Sequence, residues 1–299
     1  MPSLIFCSDH RYAIGVAVTG RMALEHSSEP CAMHVLHDGI PKSEQARIAQ
    51  SWQHPNCRSV EFIDFDTSMI SGFRPTMYIK SLITYAKMFI GSAVKHDGRL
   101  TFLDPDLLVY GDVTELENSD LEGNIMGAVQ DISVRADGQA MADKFAARLG
   151  IKDGFKYLNS GVLVLDLQRW RDEKIEQQCF DLALNAPEKL DSMDQDALNI
   201  VLEDRWKMLD VRWNTSQYEA PPGTRSGIVH LIGQAKPWHD DYNYHFKDAW
   251  FEWVDRTAYR GFRTADPNGL GARWSRLRRQ IPTPGIVASK IKRMLASPR

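Results

Sequence analysis

Apolar and polar positions along the first two-thirds of the chain fall into alternating strand-like and helix-like blocks. Residues 4–8 form a short apolar run that reads as a buried strand, and apolar positions then recur at helical spacing over 13–26. Residues 32–37 predict a second strand and 41–53 a second helix, with Pro41 suited to its first turn, where an N–H is not needed. Residues 60–65 alternate like a third strand. A long helical pattern over 77–94 leads into a fourth strand at 100–103, which ends in a polar turn at Asp104. Strands and helices in this order predict an α/β fold with a mainly parallel sheet covered on both faces. Ligands of such sheets bind beyond the carboxyl ends of the strands. Asp9 closes the first strand and Asp104 the fourth, so both fall where a nucleotide would sit.

After residues 125–130 the pattern is less regular. Residues 158–167 predict another strand, entered through Asn159-Ser160-Gly161. A helix over 168–185 stops before Pro187, and a further helix over 194–203 has Asp194 as its expected N-cap. Residues 228–232 are the last strand candidate. From about residue 267 prolines and glycines punctuate short basic helical stretches instead of another core. The expected organisation is a catalytic domain over 1–266 and a basic tail over 267–299.

Charge sharpens that division. Residues 267–299 carry eight basic side chains and no acidic one, whereas the preceding 266 hold 28 basic and 39 acidic side chains, a net of −11. A nucleic-acid binder would spread its basic residues over the folded domain, so no nucleic-acid partner is expected. In the tail, Trp274, Leu277 and Ile281 lie among four arginines, and Val287, Ile291, Met294 and Leu295 form a stripe beside Lys290, Lys292 and Arg293. A basic amphipathic segment of this kind suits an anionic membrane surface, although a solvated tail has the same composition. The four cysteines are far apart with no CxxC pair, which argues against a disulfide framework or a thiolate zinc site. The N-terminal apolar run is too short and uncharged for a secretory signal, and no segment has the length of a membrane span. The expected location is the cytoplasm, peripheral to the inner face of the membrane if the tail engages it.

Two short strings hold the candidate chemistry. Asp104-Pro105-Asp106 puts two hard oxygen ligands within reach of one Mg²⁺ or Mn²⁺, particularly where a diphosphate adds more oxygens. On its own it is also what a polar turn after a strand looks like. In His230-Leu231-Ile232-Gly233-Gln234-Ala235-Lys236-Pro237-Trp238, the histidine could complete a metal's coordination, Gly233 would admit a phosphate close to backbone, and Lys236 would hold a diphosphate as a point charge.

Together, in this order and at this separation, the two strings resemble the hallmark motifs of glycosyltransferase family 8. Within that family the sequence resembles the bacterial lipooligosaccharide and lipopolysaccharide galactosyl- and glucosyltransferases, and the resemblance spans roughly the first 250 residues. That resemblance implies a GT-A type, Rossmann-like fold. It implies a UDP-hexose donor, Mn²⁺ or Mg²⁺ on Asp104, Asp106 and His230, and a saccharide or glycolipid acceptor. Ser8-Asp9-His10-Arg11-Tyr12 is similar to the first-strand motif whose Asp and Tyr, here Asp9 and Tyr12, hold uracil and ribose. Asn159 matches the residue that meets the donor sugar. Met193-Asp194-Gln195 matches the segment in which Asp194 binds the sugar and Gln195 lies near the anomeric carbon. Trp213-Asn214 also recurs in the family. One position departs: Lys87 stands where the family usually has an arginine that contacts nucleotide or sugar, which keeps the charge and loses the planar fork.

The implied reaction is retaining hexosyl transfer, with Lys236, the backbone at Gly233 and Lys87 taking up charge on the departing UDP. Glutamine is a poor nucleophile, so Gln195 on the β-face favours same-face attack over a covalent intermediate. A catalytically silent UDP-sugar binder of the same fold is the alternative, favoured only by Lys87. A nucleotidyltransferase is disfavoured because no glycine-rich, lysine-bearing phosphate loop follows the first strand.

Overall fold

A computed structural model describes residues 1–75 and 81–265. The basic tail at 267–299 therefore lies outside the described residues, as does the start of the helical pattern over 77–94. Ten strands are described: β1 (Ser3–Asp9), β2 (Cys31–Asp38), β3 (Cys57–Asp64), β4 (Arg99–Leu103), β5 (Leu107–Val109), β6 (Met126–Gln130), β7 (Leu158–Asp166), β8 (Trp206–Met208), β9 (Thr215–Ser216) and β10 (Ile228–His230). β1 is buried at every position, with Leu4 and Phe6 in one apolar cluster and Ile5 and Cys7 in another. An unbroken apolar run is what burial on both faces of a parallel sheet requires.

Seven strands form the main sheet in the order β3-β2-β1-β4-β7-β6-β8, and β5-β10-β9 make a small second sheet. β1 runs parallel to β2 and β4, while β7 is antiparallel to both β4 and β6. The fold is α/β with a mixed, mainly parallel sheet flanked by helices. Since β1 and β4 are parallel neighbours, Asp9 and Asp104 leave the sheet at the same edge. The first helix, α1 (Ala13–Glu25), supports the turn that follows β4. Its Thr19 hydroxyl oxygen lies 3.0 Å from both the Pro105 and the Leu107 carbonyl oxygens. A Cβ on Gly15 would fall 2.5 Å from the Pro105 carbonyl, so only glycine lets α1 approach this closely.

Several elements differ from the sequence expectation. α2 (Lys42–Ser51) has Pro41 as its N-cap, one position before the first turn. Within 77–94 the described part is a 3-10 helix over Leu82–Phe89 followed by a single α turn over Ile90–Ala93. Tyr85 through Gly91 are all buried, so packing from several sides, more than helical propensity, sets the tighter winding. The helix expected over 168–185 breaks into Leu167–Asp172 and Ile175–Asn185 at Lys174, whose φ is +53°. Asp194 is not an N-cap. Met193 holds that position with φ +51° and no side-chain cap, and Asp194 occupies the first turn with its carboxylate turned to other partners. All four cysteines are free, and no described helix is long and apolar enough to cross a membrane.

Candidate active site

β5 and β10 pair antiparallel with His230 opposite Leu107, and the Leu231 N–H donates to the Asp106 carbonyl at 2.9 Å. On the other side the Asp104 N–H donates to the Gly161 carbonyl at 2.8 Å, extending the β4–β7 ladder by one rung. This register brings Asp104, Asp106 and His230 together, with one possible ligand atom from each lying within 4.8 Å of the others. His230 Nε2 is 3.4 Å from Asp106 Oδ1 and 3.8 Å from Asp104 Oδ2. Around a six-coordinate ion at about 2.1 Å, neighbouring ligands stand about 3 Å apart and opposite ones about 4.2 Å, so a small inward movement would let all three share one cation. Two carboxylates and one imidazole suit Mn²⁺ or Mg²⁺ better than a thiolate-seeking metal.

Gly161 permits this approach. A Cβ there would lie 2.2 Å from His230 Cε1 and 3.0 Å from Asp104 Oδ2. On the far side of the imidazole, His230 Nδ1 is 2.9 Å from Asn214 Oδ1. Asn214 Nδ2 donates to Asn159 Oδ1 at 2.8 Å, and Asn159 Nδ2 donates to Asp131 Oδ2 at 3.0 Å. Gln195 Nε2 donates to that same Asp131 oxygen at 3.1 Å, while Gln195 Oε1 accepts from the Ser160 N–H at 3.1 Å. Asn159 and Gln195, expected to face the sugar, are therefore joined through Asp131 and linked by the same chain to His230, one of the three metal-ligating candidates.

Two buried lysines balance the acids. Lys87 Nζ lies 3.0 Å from Asp194 Oδ2 and 3.4 Å from Asp104 Oδ1, and it donates to the Ser160 carbonyl at 3.2 Å. The Ser160 hydroxyl donates to Asp194 at 2.8 Å. Burial pushes the Asp194 carboxyl up against the pull of Lys87, and the surrounding carboxylates more than offset the burial of Lys87 and raise its ammonium. Lys236 bonds Asp106 directly and donates to the Leu231 carbonyl at 3.1 Å. Burial would raise Asp106, but Lys236 and His230 hold it well below the usual carboxylate range.

At the other end of the site, Asp9 accepts from the Arg11 N–H at 2.9 Å, from its guanidinium, and from the Ser81 hydroxyl at 2.9 Å. Tyr12 meets Trp238 edge-on with centroids 5.2 Å apart. Gly233 has φ +112°, and a Cβ there would approach the Tyr218 hydroxyl to 3.0 Å. Tyr218 and Tyr244 are among the few exposed large rings and share a 3.1 Å hydrogen bond at this lip. Beneath them the buried Tyr242 hydroxyl donates to Gln217 Oε1 at 2.7 Å. Sequence reasoning did not single out Asp131 or Gly161, and it gave Asn214 no role. The one local signal at Asp131 was a capping Asp two residues before a serine.

The profile of glycosyl transferase family 8 matches residues 3–242. General stress protein A of Bacillus subtilis is 26% identical over 278 residues, covering 86% of this chain and 94% of that protein. The lipopolysaccharide glucosyltransferase WaaO of Escherichia coli is 29% identical over 275 residues, 86% of this chain and 78% of that protein. Among solved structures, the galactosyltransferase LgtC in complex with donor and acceptor sugar analogs superimposes with a TM-score of 0.76 at 24% identity, covering 85% of this chain and 96% of that one.

Proposed function

The chain belongs to glycosyl transferase family 8, and from that premise we propose that this glycosyltransferase moves a hexose from a UDP-sugar to a saccharide acceptor with retention at the anomeric carbon. The carrying observation is the clustering of Asp104, Asp106 and His230, with Asn159 and Gln195 linked to His230 through Asn214 and Asp131, and Asp194 linked to Asp104 through Lys87. Asp104, Asp106 and His230 would hold Mn²⁺ or Mg²⁺. When bound, that cation would supply Lewis-acid stabilisation of the diphosphate as the glycosidic bond breaks. Asp9 and Tyr12, at the same sheet edge, would take the uridine. Gly233 would admit a phosphate beside the backbone, and Lys236, next to Asp106, would hold the diphosphate as a point charge. Asn159 and Asp194 would orient sugar hydroxyls, with Lys87 fixing Asp194 and adding positive charge.

Gln195 is an amide whose oxygen already accepts from the Ser160 N–H, which supports same-face attack over a glutamine-bound sugar. The acceptor would enter past the exposed Tyr218 and Tyr244 rings, whose electron-rich faces suit the C–H bonds of a pyranose. An acceptor of lipopolysaccharide type agrees with the names of relatives such as WaaO, and residues 267–299 would then rest on an anionic membrane at the cytoplasmic side. Lys87 does not favour a silent binder, because its ammonium pairs with Asp104 and Asp194. A screen of UDP-sugars for UDP release with and without Mn²⁺ tests the reading. Metal-dependent release from one UDP-hexose is expected; failure of every UDP-sugar to turn over would sink it.

A further inference from the structure

His230 can ligate a cation through Nε2 only if that nitrogen offers its lone pair, which requires the ring proton on Nδ1. Its Nδ1 faces Asn214 Oδ1, and that amide could in principle be turned either way. The remaining links decide the matter. A carboxylate at Asp131 only accepts, so both amides that touch its Oδ2, Asn159 and Gln195, must present their NH₂ groups to it. With its NH₂ committed, Asn159 turns Oδ1 to Asn214, and the Gly161 N–H donating to that Oδ1 at 3.0 Å requires the same orientation. Asn214 then gives its NH₂ to Asn159 and its Oδ1 to His230, whose Nδ1 must donate.

We infer that Asp131 is the positioning residue that fixes the ring proton of His230 on Nδ1, acting through Asn159 and Asn214, and so leaves Nε2 free for the cation. The same oxygen orients Gln195, whose Oε1 faces the Ser160 N–H. One carboxylate thus sets both a metal-ligating candidate and the amide expected beside the anomeric carbon. The inference rests on reading His230 as a metal ligand.

The substitution Asp131→Asn separates this role from simple support. Asp131 Oδ1 accepts from the Ser133 N–H at 2.9 Å and from its hydroxyl, capping the helix Ile132–Asp137. The oxygen of an asparagine keeps that cap. Its NH₂ then replaces Oδ2 and meets two other NH₂ groups; turning Asn159 over relieves the clash at that amide at the cost of facing its Nδ2 to the Gly161 N–H, and the turn carries Asn214 Nδ2 round to His230. Nδ1 must then accept, and the proton moves to Nε2.

Two measurements on the full chain test this. Long-range ¹H–¹⁵N correlation of the His230 ring in metal-free protein, at a pH high enough for the ring to be neutral, should show Nδ1–H in the wild type and Nε2–H in Asp131→Asn. Titration with Mn²⁺ alone should show binding weakened by about 10–100-fold. Asn214→Leu cuts the relay at its middle and should weaken Mn²⁺ binding on its own. In that background Asp131→Asn should weaken it no further, because the link it acts through is gone. An unchanged ring proton in Asp131→Asn overturns the inference, as does additive loss in the double variant. If Asp131→Asn does not fold, Asn214→Leu with wild-type Mn²⁺ affinity overturns it. Should the wild type bind no Mn²⁺, the metal reading falls, and the ring proton still decides the relay.

Discussion

Lys87 Nζ sits 3.0 Å from Asp194 Oδ2, and each side chain is only 3% exposed. An ion pair this deep is worth little as a net contribution but costs much to break, because the surviving charge cannot recover its water. Lys87→Met is expected to destabilise the protein by about 3–5 kcal/mol in chemical denaturation. A loss below about 1 kcal/mol would mean that Asp194 is already neutral or hydrated.

Lys236 gives Asp106 a cation of the protein's own. Any divalent ion must compete with it, and a diphosphate must draw it away. Lys236→Met should therefore bind Mn²⁺ more tightly without nucleotide, while losing about tenfold in UDP affinity when Mn²⁺ is present. Calorimetric titrations of both ligands check the opposite signs. Parallel weakening of the two would show instead that Lys236 only supports the loop.

Gly161→Ala should damage the site more than the fold. The new methyl group would overlap His230 Cε1 at 2.2 Å, and the ring must move away from Asp104 and Asp106. Overpacking of this size costs about 1–3 kcal/mol of stability, and Mn²⁺ affinity should fall by tenfold or more. Wild-type Mn²⁺ binding in this variant would place the imidazole outside the coordination shell.

Glu117 predicts a pH dependence away from the site. Burial pushes its carboxyl up to about 7, despite hydrogen bonds from the Ser3 N–H and the Thr101 hydroxyl. Unfolded glutamate titrates at about 4.3. Between those values the folded state holds more protons than the unfolded one, so this group lowers stability as pH rises and weighs fully against folding above about 7. Glu117→Gln should gain about 1–3 kcal/mol over the wild type at pH 8 and nothing at pH 4. Denaturant curves at both pH values decide it, and an equal gain at each would remove the titration from the explanation.

A chain ending at residue 266 should keep UDP release and lose co-sedimentation with vesicles rich in phosphatidylglycerol. Full sedimentation of the shortened chain would show that residues 267–299 are not the membrane contact.

β1, β2 and β4 were legible because strands buried on both faces leave mostly apolar runs, interrupted by His34 inside β2 and Thr101 inside β4. The two-residue β9 and three-residue β8 are too short to establish a period, and periodicity carries no strand direction, so the antiparallel setting of β7 was invisible. Asp104, Asp106 and His230 could be found because two compact strings bear them. Asp131 could not, since its importance lies in partners that reach it only once β6, β7 and the helix Asp194–Val201 have packed together. Asp194 misled because an acid before a helical run usually caps it, whereas here Lys87 and Ser160 claim the carboxylate.

Asp104 and the imidazole belong to different sheets. Asp104 closes β4 of the large sheet, whereas His230 ends β10 of the small one. An ion clasped by both would act as a rivet between them, and the two sheets would come apart as one unit instead of in turn.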